Sequence, residues 1–191
     1  MFEFDESIIA PNDPSASPER IAQYKEYYKV KYELCKQKQP AIIAEIGVRA
    51  GYSAWTFLQA SPTAIYTGLD ANNGTHGGQG GQDGSFSRWA ARILRPYNAK
   101  LINLDTQKVG ILPVSNVDFF HVDGDHTIEG VMHDLDLAFE CINENGLMVV
   151  DDIDYLREVE IGVNTWLKDH SDVVDFKYMK SLRGEMLIRK K

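Results

Sequence analysis

The chain has 191 residues, of which 43% are hydrophobic and 25% are charged, and its formal net charge is −8. These values are typical of one soluble globular domain that is large enough to bury a core. The acidic balance argues against a nucleic acid or an anionic membrane surface as the main partner.

The first 17 residues form a segment rich in proline and small polar residues, including Pro11 and Pro14. This composition predicts a flexible N-terminal arm at residues 1–17, or one that becomes ordered only against a partner, ahead of a single domain at residues 18–191. The segment lacks the basic and then apolar order of a secretory signal. Together with two unpatterned cysteines, Cys35 and Cys141, this predicts a cytoplasmic protein.

The first predicted helix begins at Ser17-Pro18-Glu19, which combines a capping serine, a proline in the first turn and an acidic residue. Residues at helical spacing form an apolar stripe along it: Ile21, Tyr24, Tyr28, Tyr32 and Cys35. Such a stripe usually packs against a sheet or a second subunit, so the sequence leaves a homodimer open. The tyrosines could instead line a pocket.

Beyond Pro40, predicted strands alternate with predicted amphipathic helices. The strands are at 41–48, 65–70, 100–105, 117–123 and 147–151, and the helices are at 53–60, 85–94, 127–143 and 156–169. A hairpin of residues 173–180 and 185–189 ends the chain. This order predicts an α/β fold with a Rossmann-like, seven-stranded, mostly parallel sheet, helices on both faces and a C-terminal antiparallel hairpin.

A glycine-rich loop is predicted at 72–84, directly after the second strand of the sheet. Because six of its 13 residues are glycine, the loop is expected to be mobile. Ligands of α/β proteins bind at the carboxyl ends of strands, so the loop could be a lid over a site. A tolerated surface insertion is the alternative.

Two predicted buried strands end in aspartates. One ends at Asp123 and is followed by His126, and the other ends in Asp151 and Asp152. If the strands lie side by side, the three carboxylates meet at one sheet edge. Clustered carboxylates raise one another's pKa unless a cation lies between them. The sequence therefore predicts a site for a hard divalent cation with a histidine beside it.

Simpler interpretations of these polar residues stay open. Asp125 could cap the helix that follows it, and Asp151 and Asp152 could cap the next helix without any metal. His121 alternates with apolar residues inside a strand, which predicts a buried core histidine.

A turn between the first strand and the next helix carries Glu45, Gly47, Gly51 and Ser53. The two glycines allow a tight turn and a close approach to a ligand, and the helix start offers free N–H groups. The second strand ends at Asp70, where a carboxylate can accept both hydroxyls of a ribose; capping of a turn is the alternative.

These motifs resemble those of class I S-adenosylmethionine-dependent methyltransferases, through Glu45-x-Gly47-x-x-x-Gly51, Asp70 and the terminal hairpin. Within that class, the segments 120–135 and 146–152 resemble the metal-dependent small-molecule O-methyltransferases of the macrocin and mycinamicin type. At position 128 this chain has an isoleucine where such enzymes often have an aromatic residue.

The resemblance implies a role for each matching residue. Glu45, Gly47, Gly51 and Ser53 would contact the amino-acid end of S-adenosylmethionine, Asp70 its ribose, and Asp105 would lie near its adenine. Asp123, Asp151 and Asp152 would hold Mg²⁺, and His126, with Asp123 beside it, would be the general base.

The activity implied by the resemblance is Mg²⁺-assisted O-methylation of a hydroxyl on a small molecule, such as a sugar or a natural-product intermediate. A nicotinamide-dependent oxidoreductase is a weaker alternative, because the Gly-x-Gly-x-x-Gly fingerprint is missing. A nucleoside-binding protein without catalysis is a second alternative, although binding alone would not need Asp123, Asp151, Asp152 and His126.

Overall fold

A computed structural model describes residues 2–11, 13–74, 76, 81 and 83–191. Its helices are α1 (Pro18–Lys38), α2 (Tyr52–Ala60), α3 (Ser85–Leu94), α4 (Ile128–Cys141) and α5 (Arg157–His170). Its strands are β1 (Ile42–Ile46), β2 (Ile65–Asp70), β3 (Ala99–Asn103), β4 (Val117–Val122), β5 (Ile142–Val150), β6 (Val174–Met179) and β7 (Glu185–Lys190). In the described part of the chain, no helix is both long enough and apolar enough to cross a bilayer.

The sheet confirms the predicted architecture. Its strand order is β3-β2-β1-β4-β5-β7-β6, with parallel pairing from β3 to β5 and antiparallel pairing at β7. The chain order reverses between β1 and β4, and such a switch point opens a crevice at the carboxyl ends of the strands.

Helices cover both faces of the sheet because neighbouring strand residues point to opposite sides. On β4, Phe119 belongs to a core shared with α1, α2 and α3, whereas Phe120 belongs to a core shared with α4 and α5. Both side chains are fully buried. The central strands are therefore apolar on both faces, which is why their sequences run as apolar stretches rather than alternating ones.

The predicted boundaries differ most around β5, which was expected to start at residue 147 and instead starts at Ile142, directly after α4. A left-handed residue, Asn145 (φ 61°), precedes Gly146, and the register between β4 and β5 shifts between Val117 and Phe119. Because this start is irregular, the pattern of apolar residues does not predict where the strand begins.

The helix α1 begins and ends as its sequence predicts: the Ser17 hydroxyl accepts a bond from the Arg20 N–H, and Gln39 ends the helix in the left-handed conformation (φ 50°). Its buried face is shifted from the predicted stripe. Tyr27 and Lys31 are buried, whereas Tyr32 is half-buried. The helix packs on α2, and the tyrosines of its stripe also contact the N-terminal segment.

The N-terminal segment, predicted as a flexible arm, is packed against the domain where the structure describes it. Phe4 and Ile8 are buried, and the Phe4 ring stacks on Tyr28 at a centroid distance of 4.9 Å. A short 3-10 turn at Glu6–Ile8 begins at Asp5, whose side chain accepts a bond from the Ser7 N–H. The predicted loop at 72–84 lies partly outside the described residues, at positions 75, 77–80 and 82.

Candidate functional site

A large pocket lies at the carboxyl ends of β1, β2, β4 and β5, on the switch point of the sheet. Main-chain hydrogen bonds bring these ends together: the Asp123 N–H donates to the Ile46 carbonyl (2.9 Å), and the Asp151 N–H donates to the Val122 carbonyl (3.1 Å). Six of the predicted site residues line the pocket: Gly47, Ser53, Asp70, Asp123, His126 and Asp152. The predicted residues Glu45, Gly51, Asp105 and Asp151 lie behind or beside its wall.

Gly47 gives the pocket its closest backbone approach. Its φ is +87°, and an added Cβ would lie 1.8 Å from the Asp123 carbonyl oxygen. Only a residue without a side chain fits there, so this glycine lets the turn after β1 pass directly over the end of β4. Gly51 (φ +83°) serves packing instead, because an added Cβ would lie 2.9 Å from the Ala90 Cβ on α3.

Glu45 is fully buried and holds the pocket wall from behind. Its carboxylate accepts hydrogen bonds from the Ser53 hydroxyl, from the Tyr66 hydroxyl and, at 2.8 Å, from Nδ1 of His121. His121, predicted as a core histidine, is completely buried. Glu45 therefore orients Ser53, which does face the pocket, and the structure places no part of Glu45 on the pocket surface.

Asp70 shapes the turn beside the pocket. One carboxylate oxygen accepts the Arg49 N–H (2.7 Å), and the other accepts the Asn72 N–H (2.7 Å). Each carboxylate oxygen has a second lone pair, so these bonds leave acceptor capacity for a ligand hydroxyl. The turn-capping and the ribose-binding interpretations of Asp70 are therefore compatible.

Asp105 and Asp125 are joined by His76, at 3.0 Å from Asp105 Oδ1 and 2.6 Å from Asp125 Oδ2. Asp105 also pairs with Lys108 (2.8 Å), and this contact, more than His76, holds the pKa of Asp105 below its usual range. The interpretation of Asp125 as the cap of α4 is wrong. Thr127 is the cap, and Asp125 accepts bonds from its N–H and its hydroxyl.

Asp123, His126 and Asp152 form the group that is best suited to proton transfer or metal binding. One ligand atom from each lies within 4.8 Å of the others. His126 Nε2 is 3.4 Å from Asp123 Oδ1 and 3.8 Å from Asp152 Oδ2. About a quarter of the His126 and Asp123 side chains is exposed (27% and 26%), whereas Asp152 is only 3% exposed.

The electrostatics of this group shift two of its pKa values. Burial works against a charged His126, but the hydrogen bond and charge of Asp123 and the charge of Asp152 outweigh it and raise the pKa of the imidazole. Burial, followed by repulsion from Asp123 and Asp151, raises the pKa of Asp152 to about 7. Asp152 also has a left-handed backbone (φ 63°), which is uncommon for residues other than glycine and which aspartate adopts more readily than most.

Asp151 is not brought into this group. It is completely buried, accepts a bond from the Tyr27 hydroxyl and pairs with the Lys31 Nζ at 3.0 Å. Burial alone would raise the pKa of Asp151, but the charges of Lys31 and His121 and the hydrogen bonds from Tyr27 and Lys31 together outweigh it and lower that pKa to about 2. Lys31 lies three and four positions after Tyr28 and Tyr27, so helical spacing places it on their face of α1, but this spacing does not indicate its partner Asp151.

Arg183, from the turn between β6 and β7, is a further pocket residue that the sequence does not predict. Its Nη1 lies 3.1 Å from Asp152 Oδ1, and its guanidinium lies 5.1 Å from the ring centres of both Tyr27 and Tyr155. Burial disfavours its charge, but Tyr27 and the carboxylates of Asp152, Asp151 and Asp123 together outweigh that effect and raise the pKa of Arg183. No sequence motif marks this arginine, because its partners come from three distant parts of the chain.

We expect Lys31→Met to lower the free energy of unfolding by on the order of 3–5 kcal/mol, because it leaves Asp151 and Glu185 buried without their cation. Urea unfolding at neutral pH measures the change. Lys29→Met is the matched control, since Lys29 is exposed on the same helix. Equal stabilities of the two variants would contradict the importance of the buried pair.

The sequence matches the family described as a methyltransferase domain over residues 44–153, and no curated protein sequence matches the chain. Among solved structures, it is similar to the O-methyltransferase TomG from Streptomyces achromogenes, involved in tomaymycin synthesis and solved with S-adenosylmethionine. That match has 17% identity and a TM-score of 0.66, and it covers 87% of this chain and 80% of the other.

Two further solved structures share the fold. The O-methyltransferase from Bacillus cereus, in complex with S-adenosylhomocysteine, is 15% identical with a TM-score of 0.65, covering 95% of this chain and 84% of the other. A methyltransferase from Geobacter sulfurreducens is 17% identical with a TM-score of 0.62, and the match covers 93% of this chain and 92% of the other. Since the family match extends over more than half of the chain and contains the strand ends that form the pocket, this chain belongs to the S-adenosylmethionine-dependent methyltransferases.

Proposed function

We propose that this methyltransferase methylates a hydroxyl oxygen of a small molecule, with His126 as the general base and Asp123 as its partner. The observation that carries the proposal is the contact between His126 and Asp123, 3.4 Å apart, at the same pocket that Gly47, Ser53 and Asp70 line. A hydroxyl attacks a methyl sulfonium well only if its proton is removed, so a base beside the cofactor site is the feature that oxygen transfer needs.

The cofactor side of the pocket is assigned to the turn after β1 and to the end of β2. Gly47 leaves room for the ligand, the first turn of α2 offers N–H groups without a side-chain cap, and Ser53 offers a hydroxyl. Asp70 would accept the ribose hydroxyls. Glu45 would act through Ser53, and Gly51 through the packing of α2 on α3.

Asp105 is assigned to the adenine end of the pocket. Its neighbours Leu104 and Thr106 line the pocket, and its own carboxylate pairs with His76 and Lys108. It would therefore shape the wall near the adenine rather than donate or accept a bond there.

The acceptor side is assigned to the group around His126. The imidazole nitrogen that does not face Asp123, Nδ1, would take the hydroxyl proton, and Asp123, beside Nε2, would stabilise the imidazolium that forms. Tyr155, Leu156 and Arg183 line the pocket on this side, so they would hold the acceptor in line with the methyl group.

A divalent cation, Mg²⁺ in the first instance, fits beside Asp123 and Asp152. The fit rests on geometry, since ligand atoms of Asp123 and Asp152 lie within 4.8 Å of each other. Burial and two neighbouring carboxylates also raise the pKa of Asp152, even with Arg183 nearby. Asp151 is excluded from the ligand set by Lys31 and Tyr27. When bound, the cation would acidify the acceptor hydroxyl and orient its oxygen.

Calorimetric titration with S-adenosylhomocysteine tests the cofactor site. We expect micromolar binding to the wild type and about tenfold weaker binding to Asp70→Asn, because the ribose would lose a charge-assisted hydrogen bond. Asp172→Asn, a change at an exposed and distant aspartate, should bind like the wild type. Absence of binding to the wild type would overturn the assignment of the pocket.

Titration with MgCl₂ in the presence of S-adenosylhomocysteine tests the cation. A binding heat is expected for the wild type and is expected to vanish in Asp152→Asn, because that variant loses one of the two carboxylates. Glu158→Gln removes an exposed acid nearby in sequence and should keep the heat. If the wild type gives no heat, the chain works through His126 and Asp123 without a cation.

Labelled S-adenosylmethionine and a panel of phenols, sugars and hydroxy acids test the role of His126. With the best acceptor, His126→Gln should lower kcat by about 10²–10⁴-fold, because the proton of the attacking hydroxyl has no acceptor. The affinity for S-adenosylhomocysteine should not change. His170→Gln, the same substitution at the end of α5, is the control; a fall in its kcat of the same size would refute a specific role for His126.

A further inference from the structure

The N-terminal segment is fastened to the three helices on one side of the sheet. Side chains from each helix bond its main chain: Tyr24 of α1 at the Ser15 carbonyl (3.0 Å), Tyr52 of α2 at the Ala10 N–H (2.7 Å) and Trp89 of α3 at the Ile8 carbonyl (2.6 Å). Ser15 lines the pocket, so the end of the segment forms part of the pocket wall.

The strongest contact of the segment is an ion pair between Asp13 and Arg49. The guanidinium donates to both carboxylate oxygens, at 3.0 Å and 2.6 Å, and the Asp13 side chain is completely buried. Asp13 also accepts bonds from the Tyr52 hydroxyl (2.8 Å) and the Ser15 N–H (2.8 Å). A carboxylate that is buried with this many donors has one well-defined position, and it fixes the guanidinium that faces it.

Arg49 connects this ion pair to the cofactor side of the pocket. Its main-chain N–H donates to Asp70 Oδ2 at 2.7 Å, and its backbone is left-handed (φ 48°), which is strained for an arginine. Its guanidinium also lies 4.5 Å from the centre of the Phe86 ring on α3. The side chain is thus held at two places while the backbone holds the carboxylate proposed to bind ribose.

We propose that Asp13 is a positioning residue for the cofactor: by clamping Arg49, it fixes the turn after β1 and, through the Arg49 N–H, the Asp70 carboxylate. The N-terminal segment is then a functional part of the S-adenosylmethionine site rather than a free arm. This inference rests on the proposed assignment of Asp70 to the ribose. By thermodynamic linkage, a bound cofactor must in turn hold the segment in place.

Asp13→Asn tests the proposal, because it keeps the shape of the side chain and removes its charge. We expect S-adenosylhomocysteine to bind about tenfold more weakly and the KM for S-adenosylmethionine to rise in proportion, with kcat changed less than about twofold. Asp5→Asn is the matched control in the same segment, since Asp5 is exposed and caps only the short turn. Unchanged affinity in Asp13→Asn would overturn the proposal.

Two further measurements separate positioning from a loss of folding. In a double-mutant cycle with Arg49→Gln, the second substitution should weaken binding much less than it does alone, because both act through one contact; additive losses would contradict the proposal. In the wild type, S-adenosylhomocysteine should slow hydrogen exchange at the Ala10 and Ser15 amides at least about tenfold. Unchanged exchange there, with binding intact, would overturn the proposal while leaving the proposed function standing.

Discussion

Three carboxylates meet at one edge of the sheet, and each needs a basic group beside it to balance its negative charge. The rest of this site depends on that constraint. Asp123, Asp151 and Asp152 follow neighbouring strands, and each meets a different basic side chain: His126 at 3.4 Å, Lys31 at 3.0 Å and Arg183 at 3.1 Å. Because their charged partners differ, two adjacent aspartates have opposite pKa shifts, to about 2 for Asp151 and about 7 for Asp152. One aspartate thereby becomes part of the core, and the other remains available for chemistry.

The side of the pocket that we assign to the cofactor is organised by the same rule, in which buried groups hold the residues that line the pocket. Glu45 holds Ser53 from behind, and Asp13 holds Arg49, whose main chain holds Asp70. Rigid support of this kind keeps polar groups in place before the ligand arrives, so less of the binding free energy is lost to ordering. The packed N-terminal segment is consequently linked to the end of β2 by two contacts.

The parts of this molecule that the sequence predicts well depend on local patterns. Alternating strands and amphipathic helices predict the parallel sheet, and the strand ends predict that Asp70, Asp123, His126 and Asp152 share a pocket. The parts it does not predict depend on contacts between distant positions. Nothing local shows that Lys31 reaches Asp151, 120 positions further along the chain, or that Asp13 reaches Arg49. A lysine on a helix is normally solvated, so its burial follows only from the tertiary fold.

A crystal structure of the protein with S-adenosylhomocysteine is the most direct test of the cofactor and acceptor assignments together. We expect the ribose hydroxyls within hydrogen-bond distance of Asp70, the amino-acid end beside Gly47 and Ser53, and the sulfur facing His126 and Asp123. A nucleoside bound elsewhere, or a sulfur directed away from His126, would contradict the proposed site.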